Sequence, residues 1–336
     1  MVKLHKASAM KKFAKPIVVI SRCIEFEPVR WNAQMISSEF VKKLKPYVDF
    51  IPVCPEVEIG LGLPRETLRI ISRNSELRLI QSATNLDFTE KMREFANRFL
   101  DSLSEVDGFI LKSGSPTSAF KDARVYPSTT KSAPIARGSG FFGREVLQRF
   151  SHLAIEDERR LLNSRIKEHF LTKLFTIADF REVKNSHSIN KLISFHSYNK
   201  LLLTAYSQRE LRVLGRIVAY QKKKPFAQII NDYAVHLYDS LKSPPRRGAN
   251  INVMAKGMGY FSSKLSKEEK SFFISSIDKY REGKLPLSAV LNVLKAWIIR
   301  FHEDYLMKQT FFEPYPEELA ETDVTAQKGD QKDYWT

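Results

Sequence analysis

The 336-residue chain contains only two cysteines, and none of its apolar runs is long enough to cross a bilayer. So few cysteines exclude a disulfide framework and favour a reducing compartment, which predicts a cytoplasmic protein without membrane contact. Residues 1–15 are rich in lysine but lack an apolar core, so we expect a solvated basic leader and not a secretory signal. Two common hydrolase motifs, G-x-S-x-G and H-E-x-x-H, are also missing.

Acidic residues are outnumbered: 54 lysines and arginines face 38 acids, for a net charge of +16. The last 24 residues hold seven acids and two lysines, a net of −5, so the remainder carries +21. Such an excess favours polyanionic partners, which makes RNA or DNA a candidate ligand. A solvated coat of lysines explains the same charge, and charge alone does not separate the two interpretations.

Short β-branched runs alternate with helical patterns in the first half of the chain. We predict strands at 16–21, 48–53, 76–81, 108–112 and 133–136, and helices near 33–45, 89–104 and 141–150. This alternation is typical of an α/β domain whose parallel sheet has helices on both faces. An all-α domain follows.

The predicted boundaries are a leader at 1–15, the α/β domain at 16–153, a connecting helical segment at 154–185 and a helical domain at 186–320. Residues 321–336 form an acidic tail that we expect to be disordered. Within the helical domain, the pattern predicts a break near Ser207 and a capping box of Ser266 and Glu269. It also places Pro286 at a first helical position.

Three predicted strands are followed directly by chemically reactive residues. Cys23 follows the first strand, Cys54 the second, and Ser115 to Ser118 the fourth. Ligands of open parallel sheets bind beyond the carboxyl ends of the strands, so we expect these loops to converge. Two thiols there suggest a soft-metal or iron–sulfur site short of ligands, although buried cysteines also serve as small apolar residues.

The same three stretches resemble the thiouracil desulfidase-like, TudS-type family. That family has a serine and a cysteine after the first strand, "CPE" after the second and "SPSCG" after a later one. Here the stretches read "ISRC", "CPEVEIGLGLPR" and "SPTSA". Together with "IEDERRLLNSRIKEHF", "FHSYNKLLLTAYSQRELRVLGRIVA" and "YLMKQTFFEPYPEEL", they are similar to the two-domain YbgA-like proteins, over about residues 16–320.

The resemblance implies a [4Fe–4S] cluster held by three thiolates and the removal of sulfur from a thiolated pyrimidine. Cys23 and Cys54 match two of these metal ligands, whereas Ser118 occupies the third position and Ala119 replaces a glycine. A hydroxyl is a harder donor than a thiolate and is far more reluctant to ionise, which puts the activity in question. Asn199 and Lys256 stand near positions where the family has histidines.

Residues beside these loops complete the candidate site. Glu56, Lys112 and Ser115 are candidate catalytic or positioning groups, because they flank the expected site. The candidates for binding a small anionic or aromatic substrate are Arg30, Trp31 and Arg65, although both arginines are equally suited to anchoring loops. Two hypotheses follow: the chain handles a thiolated base, or it has lost catalysis and binds nucleic acid or a protein through its basic surface.

A G-x-G-x-x-G motif, formed by Gly138, Gly140 and Gly143, precedes a predicted helix. It follows the last strand of the domain, so the pattern favours tight packing there, with an anion or a nucleotide at the helix N-terminus as the minority alternative. Basic clusters at 222–224, at Arg246 and Arg247, and at Lys256 and Lys264 are interleaved with aromatic residues, among them Phe261. This mixture suits either base stacking or a core beside a solvated face.

Overall fold

The computed structural model describes residues 12–73, 76–130, 132–220 and 224–320, which form two compact units. The first unit comprises residues 12–178 and 315–320, and the second comprises residues 179–314. Most of the expected basic leader and the whole acidic tail lie outside the described residues. No described helix has the length and apolar character that a membrane span requires.

Eight strands form two sheets in the first unit. They are β1 (Ile17–Ser21), β2 (Asp49–Val53), β3 (Leu68–Arg73), β4 (Glu76–Gln81), β5 (Gly108–Leu111), β6 (Ala123–Tyr126), β7 (Ala136–Gly138) and β8 (Ala154–Asp157). The first sheet has the order β2-β1-β5-β8 and is entirely parallel. The second sheet has the order β4-β3-β6-β7 and is mixed, because β3 runs parallel to β6 and the other pairs are antiparallel.

Thirteen helices follow or alternate with these strands among the described residues. They are α1 (Glu39–Leu44), α2 (Pro55–Glu58), α3 (Thr89–Ser102), α4 (Phe141–Phe150), α5 (Ser164–Asn185), α6 (Ile189–Tyr198), α7 (Lys200–Tyr206), α8 (Gln208–Ala219), α9 (Phe226–Ser240), α10 (Arg247–Gly259), α11 (Lys267–Arg281), α12 (Leu287–Phe301) and α13 (Asp304–Met307). The predicted order, an α/β domain and then a helical region, is therefore confirmed.

The parallel sheet is covered on both faces, which explains why its strands are apolar at successive positions. On one face, Ile20 and Ile110 belong to a core cluster that includes Leu174 of α5. On the other face, the ring of Phe109 lies 5.2 Å from the ring of Phe150 at the end of α4. The expected helices on both faces are confirmed.

Several predicted elements differ from the structure in extent or place. Residues 154–157 form strand β8 where the connecting helical segment was expected to begin, because they pair in parallel with β5. The helix predicted from residue 33 begins only at Glu39, after a loop that returns to bridge Ile24 with Ile36. The strand expected at 133–136 forms at Ala136–Gly138, where β6 provides its partner. The sequence patterns missed β3 and β6 entirely.

The helical unit follows the local signals closely. Ser207 separates α7 from α8, and its side chain accepts a hydrogen bond from the Glu210 amide. The predicted capping box of Ser266 and Glu269 begins α11. Pro286 is the N-cap of α12 and not its first helical residue, because its backbone is extended, with a ψ of 158°.

Candidate active site

The three predicted loops meet at one cavity of about 460 Å³ in the first unit. They follow β1, β2 and β5, which are adjacent strands of the parallel sheet. A hydrogen bond from the Lys112 amide to Ser21 Oγ (2.9 Å) joins the first loop to the third. The Arg22 amide donates to the Val53 carbonyl (2.8 Å) and joins the first loop to the second. The topology therefore converts three distant sequence positions into one site.

Both cysteines line this cavity as buried, free thiols. Burial raises the pKa of Cys23 to about 12; the nearby Cys54 adds to the rise, and Lys112 and Arg30 oppose it in part. Burial also raises the pKa of Cys54, whose Sγ lies 3.8 Å from the Val29 carbonyl oxygen. At neutral pH both groups are protonated thiols.

The loop after β5 carries a chain of hydroxyls that ends at a carboxylate. Ser115 Oγ lies 2.9 Å from Thr117 Oγ1, which donates a hydrogen bond to Glu56 Oε1 (3.1 Å). Ser118 is 4% exposed; its amide donates to Ser115 Oγ (3.1 Å), and its hydroxyl lies 3.5 Å from Thr117 Oγ1. The expected third cluster position is thus a buried hydroxyl within a polar network.

Arg65 holds the same carboxylate from the other side. Its Nε and Nη2 lie 2.8 Å and 2.7 Å from Glu56 Oε2, and Nη2 also donates to the Val29 carbonyl (3.0 Å). The third nitrogen, Nη1, is buried and has no hydrogen-bond partner among the described residues. Arg65 is therefore both a loop anchor and a wall of the cavity, so the two interpretations of its sequence position are compatible.

Lys112 is held both by its own loop and by Glu158, which follows β8. Its Nζ lies 2.7 Å from Glu158 Oε1 and 2.6 Å from the Ser113 carbonyl oxygen. Glu158 also accepts hydrogen bonds from the Ser113 amide and hydroxyl. These contacts give Lys112 a clear part in fixing the loop, and its predicted role in proton transfer stays a prediction.

The glycine motif supports the loop that carries Ser118. A Cβ at Gly140 would lie 2.5 Å from the Thr117 carbonyl oxygen, and one at Gly143 would lie 2.7 Å from the Ser118 carbonyl oxygen. The Gly140 and Gly143 amides donate to the carbonyls of Ala119 (2.7 Å) and Thr117 (3.0 Å). The predicted packing role explains the motif, because amides at the N-terminus of α4 bind the loop itself.

All nine residues singled out in the sequence line this one cavity: Cys23, Arg30, Trp31, Cys54, Glu56, Arg65, Lys112, Ser115 and Ser118. Their individual roles stay predictions. The sequence reasoning missed further lining residues: Thr67, Arg69, Thr117, Arg124, Tyr126 and Arg159. Four of these lie on β3 and β6 or beside them. The signal that could have revealed these strands is the alternation of apolar and polar residues in "TLRI" and "ARVY".

Two of the residues singled out in the helical unit, Asn199 and Phe261, are buried parts of its core. Asn199 is 2% exposed; its Nδ2 donates to the Phe195 carbonyl (2.9 Å), and its Oδ1 accepts from Thr310 Oγ1 (2.7 Å). Phe261 is fully buried in the core, so stacking on a base is excluded for it. Lys256 is exposed. Lys222 and Lys223 lie outside the described residues.

Comparison with known proteins places this site in context. Residues 18–158 match the family described as 2-thiouracil desulfurase, and residues 200–316 match a family of unknown function, DUF1722. The chain joins a 2-thiouracil desulfurase-like domain to a DUF1722 region. The two matches together confirm the resemblance to the two-domain YbgA-like proteins. The uncharacterized protein YbgA of Escherichia coli (strain K12) is 28% identical over 155 residues, which cover 45% of this chain and 91% of YbgA.

A solved structure, the [4Fe-4S]-dependent thiouracil desulfidase TudS, is 25% identical and covers 44% of this chain and 93% of its own. The TM-score of that superposition is 0.36, which is too low to infer a common fold from it.

The donor set of the cavity does not fit a cluster held by three thiolates. The three loops supply the two thiols of Cys23 and Cys54 and the hydroxyl of Ser118. Among the described residues, no group of three or more histidine, cysteine or acidic side chains is placed to hold a metal ion. Because a serine hydroxyl is a hard and weakly acidic donor, it does not replace the missing soft ligand.

Proposed function

We propose that the cavity binds a small thiolated pyrimidine or a similar sulfur-bearing compound, and that this chain does so without a stable iron–sulfur cluster. The observation that carries the proposal is the convergence of two neutral thiols, a carboxylate and several hydroxyls on one cavity of about 460 Å³. That volume falls within the range of about 300 to 1,000 Å³ that is usual for small-molecule sites. The family match over residues 18–158 supports the sulfur-bearing base as the ligand class.

The polar groups suit such a ligand. The Glu56 carboxylate, fixed by Arg65 through Oε2, is an acceptor for a ring N–H, since Oε1 accepts only one hydrogen bond, from Thr117, and has a second lone pair. The thiols of Cys23 and Cys54 are soft, weak donors that tolerate a thiocarbonyl sulfur without charge repulsion. Trp31, 48% exposed at the cavity, offers an aromatic face to a planar ring.

Glu56 and Ser115 are the groups best placed to move a proton to or from a bound ligand. Thr117 Oγ1 joins them, because it lies 3.1 Å from Glu56 Oε1 and 2.9 Å from Ser115 Oγ. Lys112 contributes by fixing the loop that carries Ser115.

Ligand binding tests the first half of the proposal. Calorimetric titration of the full chain with 2-thiouracil should give tighter binding than with uracil, because only the former presents sulfur to the thiols. Glu56→Gln should weaken 2-thiouracil binding about tenfold, the scale of one hydrogen bond to a charged group. The control is Glu90→Gln, which alters an exposed carboxylate on α3. Equal binding of the two bases, or equal loss in both variants, would contradict the proposal.

Iron and sulfide analysis after anaerobic reconstitution tests the second half. We expect the unaltered chain to retain little iron, and Ser118→Cys to retain several-fold more, since it supplies the third thiolate. Ser102→Cys, which adds an exposed thiol outside the cavity, is the matched control and should leave retention unchanged. A stoichiometric cluster in the unaltered chain would show that two thiolates and a hydroxyl suffice.

A further inference from the structure

An exposed tyrosine at the end of α10 is backed by a second aromatic ring. Tyr260, the C-cap residue of this helix, is 46% exposed. Its ring lies 5.7 Å from the ring of Tyr305 on α13, and the two ring planes differ by only 17°. Tyr305 in turn packs against the core of the helical unit. The Tyr260 ring is therefore held in place from one side while much of the residue stays open to a ligand, so stacking on it costs little ordering.

Lysines flank this tyrosine along the chain. Lys256 stands four residues before Tyr260 on α10, so the two side chains lie on the same face of the helix. Lys264 stands four residues after Tyr260, and its Nζ lies 5.5 Å from the centroid of the Phe301 ring. Both lysines are exposed, and no hydrogen bond or ion pair joins either side chain to another described residue. Two unpaired positive charges thus accompany the exposed ring.

The other charged residues of this surface do not neutralise the two lysines. Arg300 lies 5.0 Å from the centroid of the same Phe301 ring, but it is paired with Glu269 at 2.8 Å and so joins α12 to α11. Asp304, beside Tyr305, is exposed and forms no ion pair with another described residue. The lysine charges therefore remain available to an anionic ligand.

Exposure alone does not distinguish Tyr260. Tyr220 is the C-cap residue of α8 and is 68% exposed, but no ring among the described residues packs against it. Phe261, the neighbour of Tyr260, is fully buried in the core. The sequence pattern near 256–264 suited either base stacking or a core, and the structure divides it. Phe261 belongs to the core, whereas Tyr260 and the two lysines belong to the surface.

We propose that Tyr260, Lys256 and Lys264 form a platform that binds single-stranded nucleic acid, with a base stacked on the tyrosine ring and phosphates held by the lysines. An aromatic face beside unpaired cations is the combination by which proteins bind single strands without reading their sequence. A duplex keeps its bases stacked on one another and offers no free base face to the tyrosine. The platform uses no residue of the cavity, so it goes beyond the function proposed above and does not depend on it.

Fluorescence anisotropy of the full chain with a short labelled oligomer of deoxyuridine tests the stacking. The oligomer should bind at least about tenfold more tightly than an abasic strand of the same length, because only the oligomer has bases to stack. Tyr260→Ala should lose about tenfold in affinity for the oligomer and should bind the abasic strand as the unaltered chain does. Tyr220→Ala, which removes another exposed tyrosine from the end of a helix, is the matched control and should have no effect.

Two further substitutions separate stacking from structural support. Tyr260→Phe keeps the aromatic face and should retain the affinity for the oligomer. Tyr260→Leu keeps an apolar contact with Tyr305 but has no aromatic face, so it should lose as much affinity as the alanine variant. Full affinity in the leucine variant would overturn the proposal.

The salt dependence of the same titration tests the lysines. Each lysine that neutralises a phosphate of a single strand adds about 0.7 to the magnitude of the slope of log K against log salt concentration. Lys256→Gln and Lys264→Gln should each lower that magnitude by about 0.7. Lys191→Gln, which removes an exposed lysine of α6, should leave it unchanged. Equal slopes in all three variants would show that these two lysines do not meet phosphates.

The choice of strand gives the remaining outcomes. Oligomers of uridine and deoxyuridine should bind with similar affinity, because the platform meets base faces and phosphates; a difference above about tenfold would assign the binding to the sugar and overturn it. Equal binding of the oligomer, the abasic strand and a duplex would also overturn it, as would equal losses in Tyr260→Ala and Tyr220→Ala. Binding of 2-thiouracil should be the same in Tyr260→Ala and the unaltered chain, so this proposal and the thiolated-base proposal fail separately.

Discussion

Buried polar groups serve opposite purposes in the two units. In the first unit, thiols, hydroxyls and Glu56 line a cavity, and one nitrogen of Arg65 is buried without a partner among the described residues. In the helical unit, Asn199 and Thr310 satisfy each other and the ends of neighbouring helices. Ser118 and Asn199 both depart from the pattern that the sequence resembles, but Ser118 lines the cavity, whereas Asn199 is part of a core junction whose polar groups are paired. A departure from a motif therefore has to be judged by what surrounds it.

Gln309 offers the strongest test of the saturated junction. Its Oε1 accepts from the Leu201 amide and its Nε2 donates to the Ser197 carbonyl, both at 2.9 Å, so it joins α6 to α7. Gln309→Ala leaves the buried Leu201 amide unpaired and removes one of two hydrogen bonds to the Ser197 carbonyl, and we expect a loss of about 3 kcal/mol in the free energy of unfolding. Urea denaturation measures it, with the exposed Gln228→Ala as the control. A loss no larger than that of the control would refute the assignment.

Gly143→Ala should have the next largest effect, because its Cβ would meet the backbone carbonyls of Ser118 and Ala119. We expect a loss of about 2 kcal/mol in the free energy of unfolding, in the range of overpacked cores, together with weaker ligand binding as the loop shifts. Gly138→Ala belongs to the same motif but has open space around its Cβ. The measurement is the difference in the free energy of unfolding between Gly143→Ala and Gly138→Ala. Similar values would show that the loop moves aside at little cost.

Cys23 gives the smallest effect and a defined sign. Its folded-state pKa of about 12 lies above the unfolded value, so the folded state retains a proton that the unfolded state loses. The stability that depends on this thiol is complete below the unfolded pKa and falls as pH rises from there towards 12. Between pH 9 and 10 the unaltered chain should lose at most about 1.4 kcal/mol of stability relative to Cys23→Ser. Parallel stability curves for the two proteins would contradict a buried neutral thiol.

Local patterns predicted the parallel sheet and the converging loops because β1, β2 and β5 are continuous apolar strands whose order follows general topological rules. The strands of the second sheet were harder to recognise. β6 has four residues, and β3 alternates arginine with apolar residues, so neither stands out until each is paired with the other. The part of the cavity wall formed by Arg69, Arg124 and Tyr126 depends on that pairing. It was therefore beyond reach of the sequence patterns, although Cys23, Cys54 and Ser118 were not.

The loop that carries Ser118 is held by its own Ser115 hydroxyl and by amides at the start of α4, so we expect an exchange of oxygen for sulfur at this side chain to leave the backbone in place. Codons for serine and cysteine can differ by a single base. One point mutation thus separates a site with two sulfurs from a site with three. A lineage could gain or lose the third sulfur while the fold stays the same.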